Sequence, residues 1–379
     1  MHIKEIKAVN FRNYSKLELS FSKDYNIIYG KNAQGKTNII EALFLCSSGR
    51  SHRTKRDEEL LKFDEENYYI KLVVDRRDME KTIEIFYRLG ERKRIKINDV
   101  YIKKNGELMG QLNTVLFSPE HMSIIKEGPS ERRRFVDIAI SQVKPAYFYD
   151  LQEYSRVLSQ RNHLLKELKR ENGGKKMKLK DTLEIWNEKL AETGSRIMYE
   201  RHQYIKRLNL IAKENHKKLT GGREEIEIMY VPSFYQAGLP SVENIKVNFL
   251  KSVERDEEKE LSAGVTLYGP QRDDIKIKVN NKNVRIYGSQ GQQRTSVLTL
   301  KLSEINILRE LAGENPVLLL DDVFSELDSV RQEYIIECIK DVQTFITSTD
   351  RSIYERISKN NANIYYVENG RVIREEDDE

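Results

Sequence analysis

Cysteine is scarce in this chain, and the two that are present do not form a metal-binding pattern. Cys46 and Cys338 are the only cysteines among 379 residues, and they lie far apart in the sequence. Because structural zinc sites need closely spaced cysteine or histidine ligands, we expect no zinc site. A chain without a disulfide framework fits a reducing compartment, so we expect a cytoplasmic location.

Long apolar runs are absent as well. No run approaches the roughly 20 residues that a helix needs to cross a bilayer, and the start, MHIKEIKAVNF, contains no apolar signal-peptide core. We therefore expect no membrane partner. Zinc-finger, helix–turn–helix and paired-aromatic patterns are also missing, so any nucleic-acid binding should follow backbone charge rather than base sequence.

Charge is small overall and unevenly placed. The formal net charge is +5, yet residues 150–223 hold 18 Lys and Arg against 10 Asp and Glu. Such a basic segment can face a polyanion, or it can be the solvated face of a helix. Charge alone leaves both interpretations open.

Hydrophobic periodicity predicts a mixed α/β chain. Strand-like patterns occupy the first 30 residues and end with Tyr25–Tyr29, after which a helix is predicted over Thr37–Leu45. Further strands are predicted at Tyr68–Val74, Thr82–Tyr87, Thr114–Phe117, Glu225–Val231, Ile275–Val279, Val284–Tyr287, Pro316–Asp322, Gln343–Thr347 and Asn363–Val367. Further helices are predicted at Glu131–Ile140, Val242–Glu254 and Gln292–Leu311 and on each side of Gln343–Thr347, and the tail Glu375–Glu379 is expected to be frayed.

The periodicity changes near residue 146. Leu151, Leu158 and Leu165 repeat every seven residues, and a second apolar run with mostly helical spacing follows the polar break at Glu171–Lys176. The two glycines in that break predict an antiparallel helical hairpin. We therefore divide the chain into an N-terminal part (residues 1–145), an inserted helical arm (146–223) and a C-terminal part (224–379).

One segment has the pattern of a phosphate-binding loop. GKNAQGKT fits G-x-x-x-x-G-K-[ST] between a predicted strand and a predicted helix, which is the context that the motif requires. Lys36 would neutralise the β- and γ-phosphates and the Thr37 hydroxyl would hold Mg²⁺, so ATP and Mg²⁺ are the predicted cofactors. The predicted binding residues of this loop are Gly30, Lys31, Asn32, Ala33, Gln34, Gly35, Lys36, Thr37 and Asn38.

A second half of this site is predicted in the C-terminal part. Asp321 and Asp322 leave a buried apolar strand at its carboxyl end, where ligands of open α/β sheets collect. Two adjacent carboxylates there are unfavourable unless a cation or a bound water uses them, or unless they cap a helix. We assign Asp321 to Mg²⁺, through water, and Asp322 to polarising the attacking water. With Lys36, these are the predicted catalytic residues.

A third segment, YGSQGQQRT, stands before a predicted long helix. Ser289 and Gly291 would lie at the helix start, which would make a second anion-binding terminus. One chain does not need two phosphate sites for one ATP. This duplication suggests that two chains share each nucleotide.

The order of these motifs resembles that of the ABC-type ATPases of the SMC group, and more closely the RecF family. The resemblance runs from residue 10 to residue 328. It rests on NFRNY (Asn10–Tyr14), GRSHRT (Gly49–Thr54), FSPEHMSIIKEGPSERRRFVD (Phe117–Asp137), LYGPQRDD (Leu267–Asp274), GSQGQQRT (Gly288–Thr295) and SELD (Ser325–Asp328).

The resemblance implies a fold and a function. The fold would be α/β, an ABC-type P-loop ATPase head with an inserted short α-helical hairpin arm. Members of the family form ATP-dependent homodimers on gapped DNA and act with RecO and RecR to load RecA, and slow hydrolysis releases the dimer. The chain would then be a weak DNA-stimulated ATPase at the nucleoid, with DNA, RecR and a second copy as partners.

The resemblance also assigns further site residues. Ser289, Gly291 and Gln292 would touch the γ-phosphate of ATP held by a second copy, and Asp328 would lie in a D-loop at the dimer interface. Ser118–Glu120 stand at the Q-loop position.

The chain departs from the family pattern at some positions. Glu127 replaces a residue that is more often small, and Gln271 replaces a usual histidine. Thr347 or Ser348 stands where ABC ATPases have a switch histidine. The missing histidine argues for weak hydrolysis, which suits a switch rather than a motor.

Basic residues form candidate DNA-binding groups. They are Arg50, Arg53 and Arg56 after the P-loop helix, and Lys175, Lys176, Lys178 and Lys180 at the tip of the arm. The first group could face nucleotide or DNA, and the second could contact phosphate or only keep the arm soluble. In the run Arg132–Arg134 we expect at least one internal ion pair.

Two other functions fit parts of the sequence. Another SMC-like DNA-associated ATPase head would need a longer coiled coil or an added catalytic domain, and the sequence has neither. A transporter-type ATPase subunit is disfavoured because the basic hairpin replaces the usual membrane-coupling segment. DNA-stimulated ATP turnover would separate the DNA-associated ATPases from the transporter type.

Overall fold

The structure, a computed structural model, describes residues 1–77, 79–171, 174–234, 241–350 and 362–375. They form two compact units. The first unit comprises Met1–Met122, Lys218–Gly221 and Val297–Glu379, and the second comprises Ser123–Lys217 and Gly222–Ser296. Most of the predicted arm, residues 146–223, lies in the second unit, which also includes residues on both sides of it, but Lys218–Gly221 belong to the first unit.

Strands and helices both occur in the N-terminal and the C-terminal parts of the chain. The strands are β1 (His2–Phe11), β2 (Tyr14–Ser20), β3 (Tyr25–Tyr29), β4 (Asn67–Arg76), β5 (Met79–Arg88), β6 (Arg94–Ile97), β7 (Val100–Tyr101), β8 (Thr114–Phe117), β9 (Ile226–Val231), β10 (Asp274–Val279), β11 (Lys282–Asn283), β12 (Val317–Asp321), β13 (Thr344–Ser348), β14 (Ala362–Glu368) and β15 (Arg371–Glu375). The helices are α1 (Lys36–Ser48), α2 (Ser123–Lys126), α3 (Pro129–Val143), α4 (Pro145–Arg170), α5 (Gly174–Leu219), α6 (Val242–Arg255), α7 (Glu257–Ala263), α8 (Val284–Tyr287), α9 (Gln290–Ala312) and α10 (Ser329–Cys338). Among the described residues, none of these helices combines the length and the apolarity that crossing a membrane requires.

A mostly parallel sheet forms the core of the first unit. Its strand order is β15-β14-β3-β13-β12-β8, and β15 alone is antiparallel to its neighbour. Every residue of β8, β12 and β13 is buried, which explains the continuous apolar run Val317–Leu320 of β12. In register, Thr347 pairs with both Asp321 and Ile28, so the carboxyl ends of β3, β13 and β12 lie side by side.

A second, antiparallel sheet of the first unit has the order β2-β1-β4-β5-β6-β7. Its strands alternate, as in β5, where Ile83, Ile85 and Tyr87 are buried and their neighbours are more exposed. One buried face and one open face are typical of such sheets. The turn between β1 and β2 carries the NFRNY motif.

The second unit contains the antiparallel helix pair that the heptad pattern predicts. Lys144, at the start of α4, pairs with Glu200 of α5 at 2.6 Å, whereas Arg161, later in α4, donates to Asn187, earlier in α5, at 2.7 Å. The two helices are 26 and 46 residues long. Their apolar contact is a cluster of Leu164, Leu165, Leu168 and Leu183. A small sheet of order β11-β10-β9 completes the described strands of this unit.

Some predicted elements differ from the structure. Val284–Tyr287, predicted as a strand, is the short helix α8, because the Asn283 side chain accepts from the Arg285 amide and caps a helical turn. The strand that pairs with β10 is instead β11. The helix predicted after Gln343–Thr347 and the frayed end of the tail lie outside the described residues.

A buried ion pair connects three segments of the second unit. Arg161 and Glu260 are fully buried, and their side chains meet at 2.5 Å. Arg161 also donates to Thr266 Oγ1 at 2.7 Å, and Glu260 accepts from the Leu267 amide at 2.7 Å. Because each charge has further hydrogen-bond partners, the pair is compatible with burial.

Replacing Glu260 by alanine should destabilise the protein strongly. The change leaves the Arg161 charge buried without its counter-ion, and we expect a loss of about 3 kcal/mol in the free energy of unfolding, measured by urea titration. Glu257→Ala is the matched control, since Glu257 pairs with Lys180 at the surface at 3.0 Å and should lose less than about 1 kcal/mol. Equal losses in the two variants would contradict this assignment.

Candidate nucleotide site

The loop between β3 and α1 has a backbone that requires glycine at two positions. Gly30 and Gly35 have φ angles of 147° and 117°, and Ala33 also has a positive φ, of 62°. A Cβ atom on Gly30 would lie 2.3 Å from the Val367 carbonyl oxygen, and one on Gly35 would lie 2.5 Å from Asn13 Nδ2. The glycines of the predicted phosphate loop therefore permit both its conformation and the close approach of neighbouring segments.

Side chains from the first hairpin hold this loop in place. Asn13 donates from Nδ2 to the Gln34 carbonyl oxygen at 2.8 Å and accepts at Oδ1 from the Asn38 side chain at 2.8 Å. The buried Tyr14 hydroxyl donates to the Gly35 carbonyl oxygen at 3.1 Å. The NFRNY motif therefore positions the phosphate loop, a role that the sequence pattern alone does not indicate.

Lys36 is buried at the start of α1. Its Nζ donates to two carbonyl oxygens of the same loop, those of Gly30 at 2.6 Å and Lys31 at 2.8 Å. Burial lowers the pKa of Lys36, and the nearby carboxylates of Asp322 and Asp321 oppose that shift. A phosphate that entered the loop would be a stronger acceptor for this ammonium group than the neutral carbonyls are.

The two halves of the predicted site meet at one carboxylate. Asp321 Oδ1 accepts from Thr37 Oγ1 at 2.9 Å and from Thr347 Oγ1 at 2.7 Å. Thr347 Oγ1 in turn accepts from the Asp322 amide at 2.9 Å. Burial raises the pKa of Asp321, and the hydrogen bonds from the two threonines act in the opposite direction. The structure thus places Thr37 and Asp321, the predicted metal ligands, in direct contact.

This pair suits a magnesium ion that is held partly by other molecules. Hydroxyl and carboxylate oxygens are the hard ligands that Mg²⁺ prefers, and it commonly keeps waters and phosphate oxygens as its remaining ligands. No group of three or more His, Cys, Asp or Glu residues that could hold a metal exists within the described part of the chain. A metal at Thr37 and Asp321 would take its remaining ligands from water and from a bound nucleotide.

The chain turns sharply after Asp321. Asp322 has a φ angle of 53°, and Ser325 donates its hydroxyl both to the Asp322 carbonyl oxygen (2.8 Å) and to its Oδ1 (3.2 Å). Further on, Asp328 caps α10 by accepting from the Arg331 amide at 3.0 Å. The Asp328 side chain remains half exposed. The roles predicted for Asp322 in hydrolysis and for Asp328 at an interface stay predictions.

A buried carboxylate on α1 gathers two arginines. Glu41 accepts from Arg12 at 2.7 and 2.8 Å, from Ser51 at 2.5 Å and from Arg53 at 3.4 Å. Burial would raise the pKa of Glu41, but the hydrogen bonds from Arg12 and Ser51 outweigh burial, and the pKa is lowered. Arg53 also donates to Asn38 Oδ1 at 3.0 Å. Arg53, a candidate DNA contact, is therefore held against the P-loop helix.

Sequence reasoning assigned no role to Glu41 or to Arg12. One signal was available, because a glutamate inside an apolar helical run must find a charged partner if that helix face is buried. The identity of the partners could not be read from the pattern, since Arg12 and Ser51 come from separate segments.

The remaining candidate DNA contacts stay predictions. Arg50 is exposed, and Arg56 is exposed beside Glu58 at 3.6 Å. Lys175, Lys176 and Lys178 belong to the first turns of α5, and their side chains are outside the described part of the structure. Lys180, which we grouped with them, pairs with Glu257.

The run of three arginines on α3 does make internal contacts. The buried Arg132 forms two hydrogen bonds to the Asp274 carboxylate, at 2.7 and 3.1 Å. Arg133 donates to the Asp273 carbonyl oxygen at 2.7 Å, whereas Arg134 is exposed. The expected internal ion pair is therefore present, and it joins two of the motifs on which the family resemblance rests.

The predicted second anion-binding terminus lies in the second unit, at the start of α9. The Ser289 amide donates to Gln292 Oε1 at 3.0 Å, and the Gln292 amide donates to Ser289 Oγ at 3.2 Å. This reciprocal pair is a capping box. Ser289 and Gly291 are exposed, and the neighbouring Ile286 and Tyr287 are 67% and 69% exposed.

Comparison with known proteins places this arrangement in a family. Residues 2–373 match the family described as RecF/RecN/SMC N terminal domain. The protein named DNA replication and repair protein RecF of Acetivibrio thermocellus is 53% identical, and the match covers 94% of this chain and 95% of that protein.

The chain belongs to the RecF family. The protein of the same name from Ruminiclostridium cellulolyticum is 46% identical over 98% of this chain and 99% of its own length. A solved structure described as the recombination mediator protein RecF-ATP in the RecFOR pathway has a TM-score of 0.91, 41% identity and coverage of 99% of this chain and 98% of that one. The family resemblance and the α/β ABC-type head fold are thereby confirmed.

Thr347→Val should destabilise the first unit, whereas Thr347→Ser should not. Valine removes the hydroxyl that donates to Asp321 and accepts from the Asp322 amide. The Asp322 amide is then left without its hydrogen-bond acceptor. We expect a loss of about 2 kcal/mol in the free energy of unfolding for valine, and less than half of that for serine, which keeps the hydroxyl. Chemical denaturation of both variants tests this, and equal losses would refute the role given to the hydroxyl.

Proposed function

We propose that the chain is an ATP-dependent DNA-binding protein of recombinational repair. It binds ATP with Mg²⁺, forms a homodimer on gapped DNA and helps RecO and RecR to load RecA. Relatives named DNA replication and repair protein RecF, and a related structure described as RecF-ATP in the RecFOR pathway, support this proposal. The observation that carries it is the hydrogen bond from Thr37 Oγ1 to Asp321 Oδ1, which joins the end of the phosphate loop to a carboxylate of the core sheet.

In this proposal, each part of the site has a separate task in holding ATP. The N–H groups of the loop and the start of α1 bind phosphate oxygens, and Lys36 turns from its loop carbonyls to the β- and γ-phosphates. Thr37 and, through water, Asp321 hold Mg²⁺, which neutralises charge on the phosphates. Asp322 orients the attacking water.

Slow hydrolysis is expected from the residue at the end of β13. The switch-histidine position belongs to Thr347 or Ser348, and the Thr347 hydroxyl is engaged by Asp321 and the Asp322 amide. A hydroxyl held in this way is a poor replacement for an imidazole that could sense or stabilise the γ-phosphate. ATP would therefore act mainly as a timing switch.

A dimer explains why Ser289 and Gly291 of the signature segment, Tyr287–Thr295, are open to solvent. Ser289 and Gly291 lie at an exposed helix start, which favours an anion, and the adjacent Ile286 and Tyr287 form an exposed apolar pair. A second copy that brought its own ATP would cover both features. Asp328, half exposed at the start of α10, would then lie at the same interface.

DNA, RecR and the location of the protein follow from the family alone. We propose binding that depends on backbone charge, in the cytoplasm at the nucleoid, with the arm lysines and Arg50 as candidate phosphate contacts. A different SMC-like ATPase head is the alternative, and the short helix pair of 26 and 46 residues speaks against it. Stimulation of ATP turnover by gapped DNA, together with binding of RecR, would support the first function.

Ser289→Arg should block ATP-dependent dimerisation while each monomer still binds ATP. The long cation would fill the space in which the γ-phosphate of a second copy is expected. Sizing with and without ATP and Mg²⁺ measures dimerisation, and a fluorescent nucleotide measures binding. Ser130→Arg, at an exposed serine in the first turn of α3, is the matched control and should dimerise normally. Lys36→Ala should lose both properties, and dimers of Ser289→Arg would refute the composite site.

Asp322→Asn should trap the ATP-bound dimer. The amide keeps the shape of the side chain but cannot accept a proton from the attacking water. We expect ATP turnover to fall by at least about 100-fold with nucleotide affinity changed less than about 3-fold. Undiminished turnover in a single-turnover assay would remove Asp322 from the proposed mechanism.

A further inference from the structure

Glu224 connects the signature segment to the long arm helix. It lies between α5 and β9, and its Oε1 accepts from Gln292 Nε2 at 2.9 Å. Its Oε2 lies 3.5 Å from Nε2 of His216, which is fully buried near the end of α5. Glu224 itself is only 21% exposed. All three residues belong to the second unit.

The carboxylate fixes which way the Gln292 amide faces. An ionised carboxylate accepts hydrogen bonds and donates none, so Glu224 selects the NH₂ side of the Gln292 amide. The oxygen of the same amide is then directed to the Ser289 amide, which donates to it at 3.0 Å. If the amide turned over, its NH₂ group would face another donor, and this half of the capping box would be lost.

The same arrangement leaves Ser289 ready to donate. Its Oγ accepts a hydrogen bond from the Gln292 amide at 3.2 Å. The hydroxyl O–H of Ser289 can therefore donate a hydrogen bond to an anion at the helix start. Ser289 is exposed and Gln292 is partly buried. Ser289 is therefore held by Gln292, Gln292 is held by Glu224, and Glu224 lies next to His216 of α5.

We propose that Glu224 is a positioning residue for the signature segment. It acts through Gln292 to hold Ser289 in the geometry that receives the γ-phosphate of ATP bound to a second copy, and it links that geometry to α5 through His216. This inference rests on the proposed ATP-dependent dimer. Glu224 is not expected to touch the nucleotide.

The test compares dimerisation of Glu224→Ala and Glu224→Gln with that of the wild type. Loss of a hydrogen bond to a charged group should weaken the ATP-dependent dimer about 10-fold for alanine and less for glutamine, which can still accept. Dimer dissociation constants are measured by light scattering with a non-hydrolysable ATP analogue and Mg²⁺. Binding of that analogue to the monomer should not change, because the P-loop is intact.

Glu225 provides the matched control. It is the next residue, carries the same charge, is exposed and lies 3.7 Å from Lys213. Glu225→Ala should leave the dimer constant within about 2-fold of the wild type, as expected for a surface ion pair. Far-UV circular dichroism and urea unfolding verify that the variants are folded.

A double-mutant cycle separates positioning from general support of the fold. If Glu224 acts through Gln292, Glu224→Ala should weaken the dimer little further in a Gln292→Ala background. Additive losses would overturn the inference, as would equal behaviour of Glu224→Ala and Glu225→Ala. If the wild type itself forms no ATP-dependent dimer, the proposed function fails and the inference falls with it. If the wild type dimerises and Ser289→Arg does not, failure of the Glu224 test leaves the proposed function standing.

Discussion

Three side chains meet at the carboxyl end of the parallel sheet, Thr37 from α1, Asp321 from β12 and Thr347 from β13. Thr37 and Asp321 are 284 positions apart, so only the order of the core strands brings them together. The contact needs β12 and β13 in register and the phosphate loop in a fixed position. A change in strand register or loop geometry would separate a hydroxyl and a carboxylate that could otherwise hold one metal ion, and the candidate nucleotide site depends on that geometry.

Two of the family motifs, NFRNY (Asn10–Tyr14) and GRSHRT (Gly49–Thr54), support this geometry. Asn13 and Tyr14 hold the phosphate loop from the first hairpin, and Glu41 ties Arg12 and Arg53 to the P-loop helix. None of these side chains is required by local secondary structure. Buried polar groups of this kind are stable only when every partner is present. This requirement explains why residues from separate sequence motifs occur together around one site.

Local patterns predicted the parts of the site that are local. The glycine spacing of Gly30–Thr37 and the apolar strand before Asp321 each occur within a few residues, and both predictions of local structure agree with the structure. The strand prediction for Val284–Tyr287 was wrong, because an alternating pattern of four residues also fits one helical turn. The Asn283 side chain caps that turn and favours the helix. The partners of Glu41 could not be predicted, since tertiary pairing between distant segments leaves no period in the sequence.

Mixing two inactive variants tests the composite site most directly. Lys36→Ala lacks a working P-loop, and Ser289→Arg lacks a working signature. A mixed dimer would hold one intact site, made from the P-loop of the Ser289→Arg chain and the signature of the Lys36→Ala chain. ATP-dependent dimers should appear by sizing only when the two variants are mixed. A mixture that stays monomeric with ATP and Mg²⁺, under conditions in which the wild type dimerises, would contradict the composite site.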